Sequence, residues 1–216
     1  LRLYLPILLA LTSSSPFYLS EDTGLMSYRA KLFEALPLAG MPDILSDWDE
    51  YEKLINLLSK SGIIETVKDI WWDVRPHPDF GTVEVRICDL PSSLRDILAV
   101  TALIQALVLA IAEQFENPEP HAQILRSNRW QAARYGLDGM YVDPFFARKY
   151  TMKEAALNLY RHVRPVAEAL KSTDYLDGIP EILNRLTSSH HQKEIYNSNG
   201  NNFKEMIRTI QGNFFK

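Results

Sequence analysis

The run from Asp69 to Pro91 constrains this chain more than any other stretch. Ile70, Trp72 and Val74 alternate with Trp71, Asp73 and Arg75; further on, Val83, Val85 and Ile87 alternate with Thr82, Glu84, Arg86 and Cys88. Between the two runs lies Pro76-His77-Pro78-Asp79-Phe80-Gly81, rich in turn formers, so the pattern predicts a β-hairpin. A period of two gives each strand an apolar face for a core and a second face carrying Asp73, Arg75, Glu84 and Arg86. Symmetric closure across the loop sets Arg75 opposite Thr82, Asp73 opposite Glu84 and Trp71 opposite Arg86. Two facing carboxylates repel unless positive charge lies between them, supplied by the arginines or by a metal ion. A slip of one residue would turn these charges into the core, so the pattern opposes it. Mixed charge this dense beside Trp71 and Trp72 marks the face as the expected active surface.

Length and charge bound what surrounds the hairpin. With 216 residues, the chain is long enough for one large domain or two small ones at roughly 100–200 residues each. A hydrophobic share of 46% and a charged share of 23% suit a globular protein. The net charge of −4 gives no whole-molecule field for nucleic acid or an anionic membrane, so any anionic ligand needs a local basic cluster. The lone cysteine, Cys88, cannot form an intrachain disulfide, which suits a reducing cytoplasm; it reads as a small buried filler.

Leu1 to Ser15 has the look of a secretory leader, with one early basic residue, an apolar run and small residues after it. It is short for a membrane span of about 20 residues and reads as a buried helix, with Pro6 tolerated in its first turn. Pro16 to Gly40 reads as irregular, and Arg29, beside Tyr28, is placed there to grip a carboxylate in a binding loop. Ser46 is the expected N-cap of a helix that sets Trp48, Tyr51, Ile55 and Leu58 on a core face. Ser93 with Asp96 predicts a capped start to a long buried helix reaching about Glu116, ended by Asn117-Pro118-Glu119-Pro120. Its apolar run, Leu98 to Ala112, is too short to span a membrane and offers a face for a second copy of the chain. A helix at about His121–Tyr135 carries Arg126, Arg129, Trp130 and Arg134 and no acid, a face suited to a polyanion with an aromatic base. Met140 to Thr151 reads as a short strand or lid, followed by helices at about Met152–Leu170, Ile179–Leu186 and up to Gly212. His190 and His191 read as solvated residues of a polar stretch.

Several of these segments together carry a resemblance. The Ala10-Leu11-Thr12-Ser13-Ser14-Ser15-Pro16-Phe17 helix end, Tyr28-Arg29, and Lys68-Asp69 leading into Trp72-Asp73-Val74-Arg75-Pro76 come first. Phe80-Gly81-Thr82-Val83-Glu84-Val85-Arg86, Asp89 with Pro91, and Asn128-Arg129 through Ala133-Arg134-Tyr135-Gly136-Leu137 follow in order. At this spacing the chain resembles the C-terminal part of the carboxylate–amine ligases, or type 2 glutamate–cysteine ligases, of the glutamine-synthetase-like superfamily. The match is collinear from Leu1 to about Leu170.

The resemblance implies an α+β fold: an antiparallel sheet of the glutamine-synthetase-like catalytic type, incomplete here, flanked by helices, with a helix-rich C-terminal part. Residues 1–216 would be a single domain, the C-terminal portion of a larger ligase domain. The family's metal-binding N-terminal part has no counterpart in these residues and would be their partner. The implied reaction activates the glutamate side-chain carboxylate with ATP as an acyl phosphate. An amine such as that of cysteine then attacks, giving a γ-glutamyl amide, with Mg²⁺ on the phosphates. Glu84 would be a catalytic residue and Mg²⁺ ligand, and Arg86 would neutralise the transferred phosphoryl group. Arg29 would bind substrate carboxylate, with Asp73 and Arg75 on the substrate side and Asn128, Arg129 and Arg134 on the nucleotide side. Against this stand a non-catalytic module of the same fold that holds a nucleotide or a partner chain, and a membrane-associated helical protein resting on the two apolar runs alone. Calorimetry with Mg·ATP and glutamate separates the first two.

Overall fold

The computed structural model describes residues 1–113 and 120–215; the expected helix end near Glu116 and the Asn117–Glu119 part of its break lie outside them. The described chain is α+β and mostly helical, with four two-stranded sheets, three antiparallel and one parallel. It divides into two compact units, one formed by Leu3–Arg29 and Cys88–Lys216, the other by Ala30–Ile87.

In chain order, α1 (Leu5–Thr12) leads to the short β1 (Phe17–Tyr18) and β2 (Glu21–Asp22), then α2 (Tyr28–Glu34), β3 (Ala39–Gly40) and α3 (Trp48–Lys60). Next come β4 (Trp71–Trp72), β5 (Val74–His77) and β6 (Thr82–Val85), then α4 (Leu94–Glu113) and α5 (Ala122–Tyr135). A second hairpin, β7 (Met140–Val142) and β8 (Lys149–Thr151), precedes α6 (Met152–Ala169), α7 (Thr173–Leu176), α8 (Gly178–Arg185), α9 (Ser188–Ser198) and α10 (Phe203–Asn213).

The larger unit is built on two apolar helices. Every residue of α1 is buried, and it packs against α5 and α6. Such a helix has no polar face to turn to water, so its leucines each contribute about 1.5–3 kcal/mol by leaving it. The second, α4, runs 20 residues, longer than its apolar core run suggests, and by length and composition it could cross a membrane. Within this unit it buries Ala99, Leu103, Ala106 and Leu107 against α6, α7 and α8, as a core helix does. The approach of α8 is close: a Cβ on Gly178 would stand 2.8 Å from that of Ala99. The capping role expected of Asp96 is not what holds it. Its carboxylate, 4% exposed, takes a charged hydrogen bond from Arg185 on α8. The stretch around His190 and His191 is not a solvated coil but α9, whose first turn is buried: a capping box at Thr187 and His190 starts it.

In the smaller unit, Tyr51, Ile64, Ile70 and Trp72 form the core, with Leu54, Ile55 and Leu58 of α3 packed on them. The predicted stripe is therefore correct except for Trp48, which is 50% exposed and donates its indole N–H to Glu52. The N-cap of α3 is Asp47, accepting the Glu50 N–H, one residue after the expected Ser46, whose own N–H and hydroxyl donate to Glu50. Pro16 to Gly40, expected to be irregular, holds β1, β2, α2 and β3, and Arg29 lies in the first turn of α2 rather than in a loop.

The hairpin forms, with a different register. Residues 74–77 pair with 85–82: Val74 faces Val85, Arg75 faces Glu84, Pro76 faces Val83 and His77 faces Thr82. The turn is a tight 3₁₀ turn, Pro78–Phe80, closed by Gly81 at φ +60°, so it takes up fewer residues than symmetric closure assumed. The pairing shifts by two residues, which keeps each side chain on its predicted face while changing its partner. Asp73 therefore does not face Glu84. It sits between β4 and β5, where its carbonyl accepts the N–H groups of both Arg86 and Ile87, and its N–H donates to Gly40. Two residues opposing one is the geometry of a bulge, which bends the strand and ends its pairing. Burial also inverts the expectation for the faces. Arg75 and His77 are 3% and 9% exposed, whereas Val83 on the apolar face is 47% exposed.

Candidate active site

The charged face of β5 and β6 is a compact set of ionic contacts. Arg75 Nε and Nη2 lie 3.1 and 2.6 Å from Glu84 Oε2. Its Nη1 donates to the carbonyls of Val67 and Ile70, both at 2.8 Å. A buried arginine needs all its donors satisfied, and only a planar fork reaches a carboxylate and two carbonyls together. Arg86 completes the set, its Nη1 3.6 Å from the same Glu84 oxygen and its guanidinium 5.2 Å above the Trp71 ring. Trp71 in turn stacks on Phe33 at 5.2 Å. The expected neighbourhood of Trp71 and Arg86 is thus present as a cation–π contact.

Glu84 is the reactive-looking member. Burial pushes its carboxyl pKa up, but the Arg75 hydrogen bond and the charges of Arg75, Arg86 and His77 outweigh that and hold it below the usual carboxylate range. It is ionised at neutral pH, its side chain is 36% exposed, and its arginine contacts all fall on Oε2. Oε1 is left for a ligand. A magnesium ion is held by one or two carboxylates together with substrate phosphates, so one open carboxylate oxygen beside an arginine fits it. Among the described residues no group of three or more potential ligands exists, so Glu84 is one ligand and not a complete site.

The larger unit contains a second polar cluster, centred on Asp89, whose side chain is 2% exposed. Its Oδ2 accepts the Ser14 N–H at 2.9 Å and the Ser15 hydroxyl at 2.7 Å. Its Oδ1 accepts the Ser27 hydroxyl at 3.0 Å and lies 3.7 Å from Arg29 Nη1. Ser15 Oγ also accepts the Arg29 N–H, and a parallel bridge joins Ser15 to Ser27. Asp89 thereby ties the end of α1 to the start of α2 and holds Arg29, which is one-third exposed, at the edge of the cluster. The sequence reading missed Asp89 as a site residue. Its local signal is faint: an acid after a strand, and a distant serine run.

Helix α9 braces the same segments. Ser189 donates its N–H to Ser13 O and its hydroxyl to Met26 O; Gln192 donates to Ser14 O and Oγ; Lys193 pairs with Asp22 at 2.9 Å. His190 bridges the Thr187 hydroxyl and Asp138. Burial raises the Asp22 pKa, but the Gly24 N–H, Lys193 and Arg134 lower it by more.

The basic helix α5 does not present the single arginine–tryptophan face expected of it. Arg129 is 3% exposed and turns inward with Leu125, Asn128 and Ala132, while Arg126 and Trp130 turn outward. Asn128 is wholly buried, and both ends of its amide hold β7: Nδ2 donates to Val142 O at 2.8 Å and Oδ1 accepts the Val142 N–H at 2.9 Å. Arg134 is half-buried, 5.5 Å over the Tyr135 ring, and packs so tightly on Gly24 that a Cβ there would stand 2.7 Å from Nη1. Of the expected site residues, Arg75, Glu84 and Arg86 cluster in one unit, and Arg29 and Arg134 lie beside Asp89 and Asp22 in the other.

Comparison with known proteins adds to this geometry. The sequence model of the family described as glutamate–cysteine ligase family 2 matches residues 1–208. A Gloeobacter violaceus protein named "Putative glutamate–cysteine ligase 2" is 42% identical over 197 residues, 89% of this chain and 53% of that protein. A protein of the same name from Thermobifida fusca is 38% identical over 91% of this chain and 50% of its own length. "Putative glutamate–cysteine ligase 2-1" of Frankia alni is 37% identical over 97% and 56%. The chain spans about half the length of the curated relatives it matches.

Proposed function

The chain belongs to glutamate–cysteine ligase family 2, and from that premise we propose that it forms the C-terminal part of a cytoplasmic, ATP-dependent carboxylate–amine ligase making a γ-glutamyl amide. The observation that carries this reading is Glu84: an ionised carboxylate, one-third exposed, with one oxygen bound by arginines and the other open. When bound, Mg·ATP supplies the phosphoryl group that activates the glutamate side-chain carboxylate, and the metal shields phosphate charge. Glu84 contributes one hard oxygen ligand. Arg86, held beside Glu84 and over Trp71, would supply a guanidinium to the negative charge of a transferred phosphoryl group. Arg75 is the positioning residue of the pair: anchored on two carbonyls, it fixes the Glu84 rotamer. Arg29, set by Asp89 and Ser15, would receive a substrate carboxylate, and Arg134, Arg129 and Asn128 would serve the nucleotide.

The remaining metal ligands, and the strands that would complete a glutamine-synthetase-like sheet, come from an N-terminal part of the same ligase domain. The half-exposed apolar side of the β5–β6 hairpin suits that partner, because a sheet face with Val83 47% exposed gains by being covered. The acceptor is a small amine such as cysteine; neither nucleic acid nor membrane has a part in the reaction.

The test is Glu84→Gln in a full-length enzyme carrying this chain. Turnover is expected to fall by about 10²–10³-fold with the fold intact; wild-type-like turnover sinks the assignment. The 216 residues alone are expected to yield no γ-glutamyl amide, and its detection would overturn the half-site reading. Mg·ATP and glutamate binding tightly to the full protein with no product would favour the non-catalytic module.

A further inference from the structure

Helices α1 and α6 and the β7–β8 hairpin enclose an open cleft of about 210 Å³ that no part of the ligation reading uses. Its walls are partly aliphatic, with Ile7 and Leu159, and partly aromatic, with Tyr4 just before α1, Tyr141 and Phe145 from β7 and the turn after it, and Tyr150 from β8. Tyr141 is buried and packs, tilted, on Tyr150, the more accessible ring, 5.4 Å away. Among the described residues, Asp143 is the only one of fixed charge lining the cleft; His162 carries charge only when protonated. The Asp143 carboxylate is half-committed. Oδ1 accepts the N–H groups of Phe145 and Phe146, which fixes the turn, while Oδ2 meets only the Tyr150 hydroxyl, at 3.4 Å. Among the described residues it has no ion-pair partner, and Arg148, whose carbonyl accepts the Asp143 N–H, lays its guanidinium over Phe146.

We propose that this cleft binds a small organic ammonium ion, with the tyrosine and phenylalanine rings around the cation and Asp143 against its charge. Aromatic faces carry negative quadrupole density and attract a cation, above all one too weakly hydrated to resist leaving water. An uncompensated carboxylate at the rim selects the same sign and rejects anions. The volume sets the size: ligand pockets for drug-sized molecules run to about 300–1,000 Å³, so this one takes a headgroup and not a nucleotide. Burial raises the Tyr4 and Tyr141 hydroxyl pKa values, so the rings stay neutral through the physiological range. The inference stands on the cleft alone and does not depend on the ligase reading.

Calorimetric titration of the full chain with tetramethylammonium chloride at pH 8, above the ordinary histidine range, tests it against sodium chloride and tert-butanol. Saturable binding of tetramethylammonium is expected, with tert-butanol, a neutral body of similar shape, binding at least about tenfold more weakly. Asp143→Asn and Tyr150→Leu are each expected to weaken tetramethylammonium about tenfold. Phe145→Leu, at an exposed position, leaves the fold untouched and lowers affinity by a smaller factor. Equal binding of tert-butanol, affinity unchanged in Tyr150→Leu and Phe145→Leu, or no saturable heat would each overturn the proposal.

Discussion

The two polar clusters of this chain are opposites in construction. Around Glu84, the partners come from strands nine residues apart and the carboxylate is one-third exposed. Around Asp89, the partners lie 60 to 75 residues away in sequence and the carboxylate is closed off from water. A pair in a local hairpin with its arginine buried and its carboxylate at the surface stays open to a ligand. A buried carboxylate joining distant segments is structural first, and acts on a ligand only through the arginine at its edge. The comparison predicts that stability and activity divide between them: substitutions at Asp89 act mainly on folding, substitutions at Glu84 mainly on turnover.

The largest stability effect is expected at Asp89. Asp89→Ala leaves the Ser14 N–H and two serine hydroxyls without their acceptor in a dry site, at a cost of about 3 kcal/mol. Urea denaturation measures it. A loss below about 1 kcal/mol, the range of an exposed ion pair, would erase the contrast between the clusters. Asp89→Asn keeps one acceptor and is expected to retain much of the stability while weakening glutamate binding through a misplaced Arg29. Unchanged binding in a folded Asp89→Asn protein would separate Asp89 from the substrate.

Gly24→Ala comes next. Gly24 has φ +72°, where a side chain is strained, and a Cβ would collide with the Arg134 guanidinium. The expected cost is about 1–2 kcal/mol, and because Arg134 must move, nucleotide affinity should fall with it. Loss of stability with no change in nucleotide affinity would show that Arg134 serves only the fold.

What the residues alone revealed follows the same division. The period-two alternation of 70–75 and 82–88 is a local signal, and it located the hairpin and the face of every charged side chain. The register depended on how many residues the Pro78–Gly81 turn consumes, and turn geometry is not visible in alternation. A two-residue shift replaced a carboxylate–carboxylate pair by Arg75–Glu84, and with it removed the need for a metal between Asp73 and Glu84. Helix α5 was found from its pattern, but helical spacing did not reveal that Arg129 and Asn128 turn inward, since a buried arginine depends on partners elsewhere in the fold. Asp89 and α9 were missed for one reason: their hydrogen bonds reach Ser13–Ser15 from 74 and 178 residues away. The collinear family motifs, which included Asp89, carried a trace of the first but not of α9.

The smallest expected effect sharpens the exposed end of the comparison. The Glu84 pKa is depressed in the folded protein below its ordinary value near 4.5. A carboxylate so shifted stabilises the fold fully above its unfolded pKa, and the contribution disappears as pH falls through the lower, folded value. Wild type should therefore exceed Glu84→Gln in stability by less than about 1 kcal/mol at neutral pH, because glutamine still offers an oxygen to the buried Arg75 and the carboxylate it replaces is screened by water. The gap should hold down to about pH 5 and close below the folded pKa, where both proteins carry a neutral group opposite Arg75. Salt should shrink it as well, because the pair is reached by counter-ions. Paired urea titrations at neutral and acid pH, with and without salt, measure the gap. A difference of several kcal/mol that salt does not touch would mean that Glu84 is anchored as deeply as Asp89, and the distinction between a working carboxylate and a structural one would fail at its weaker member.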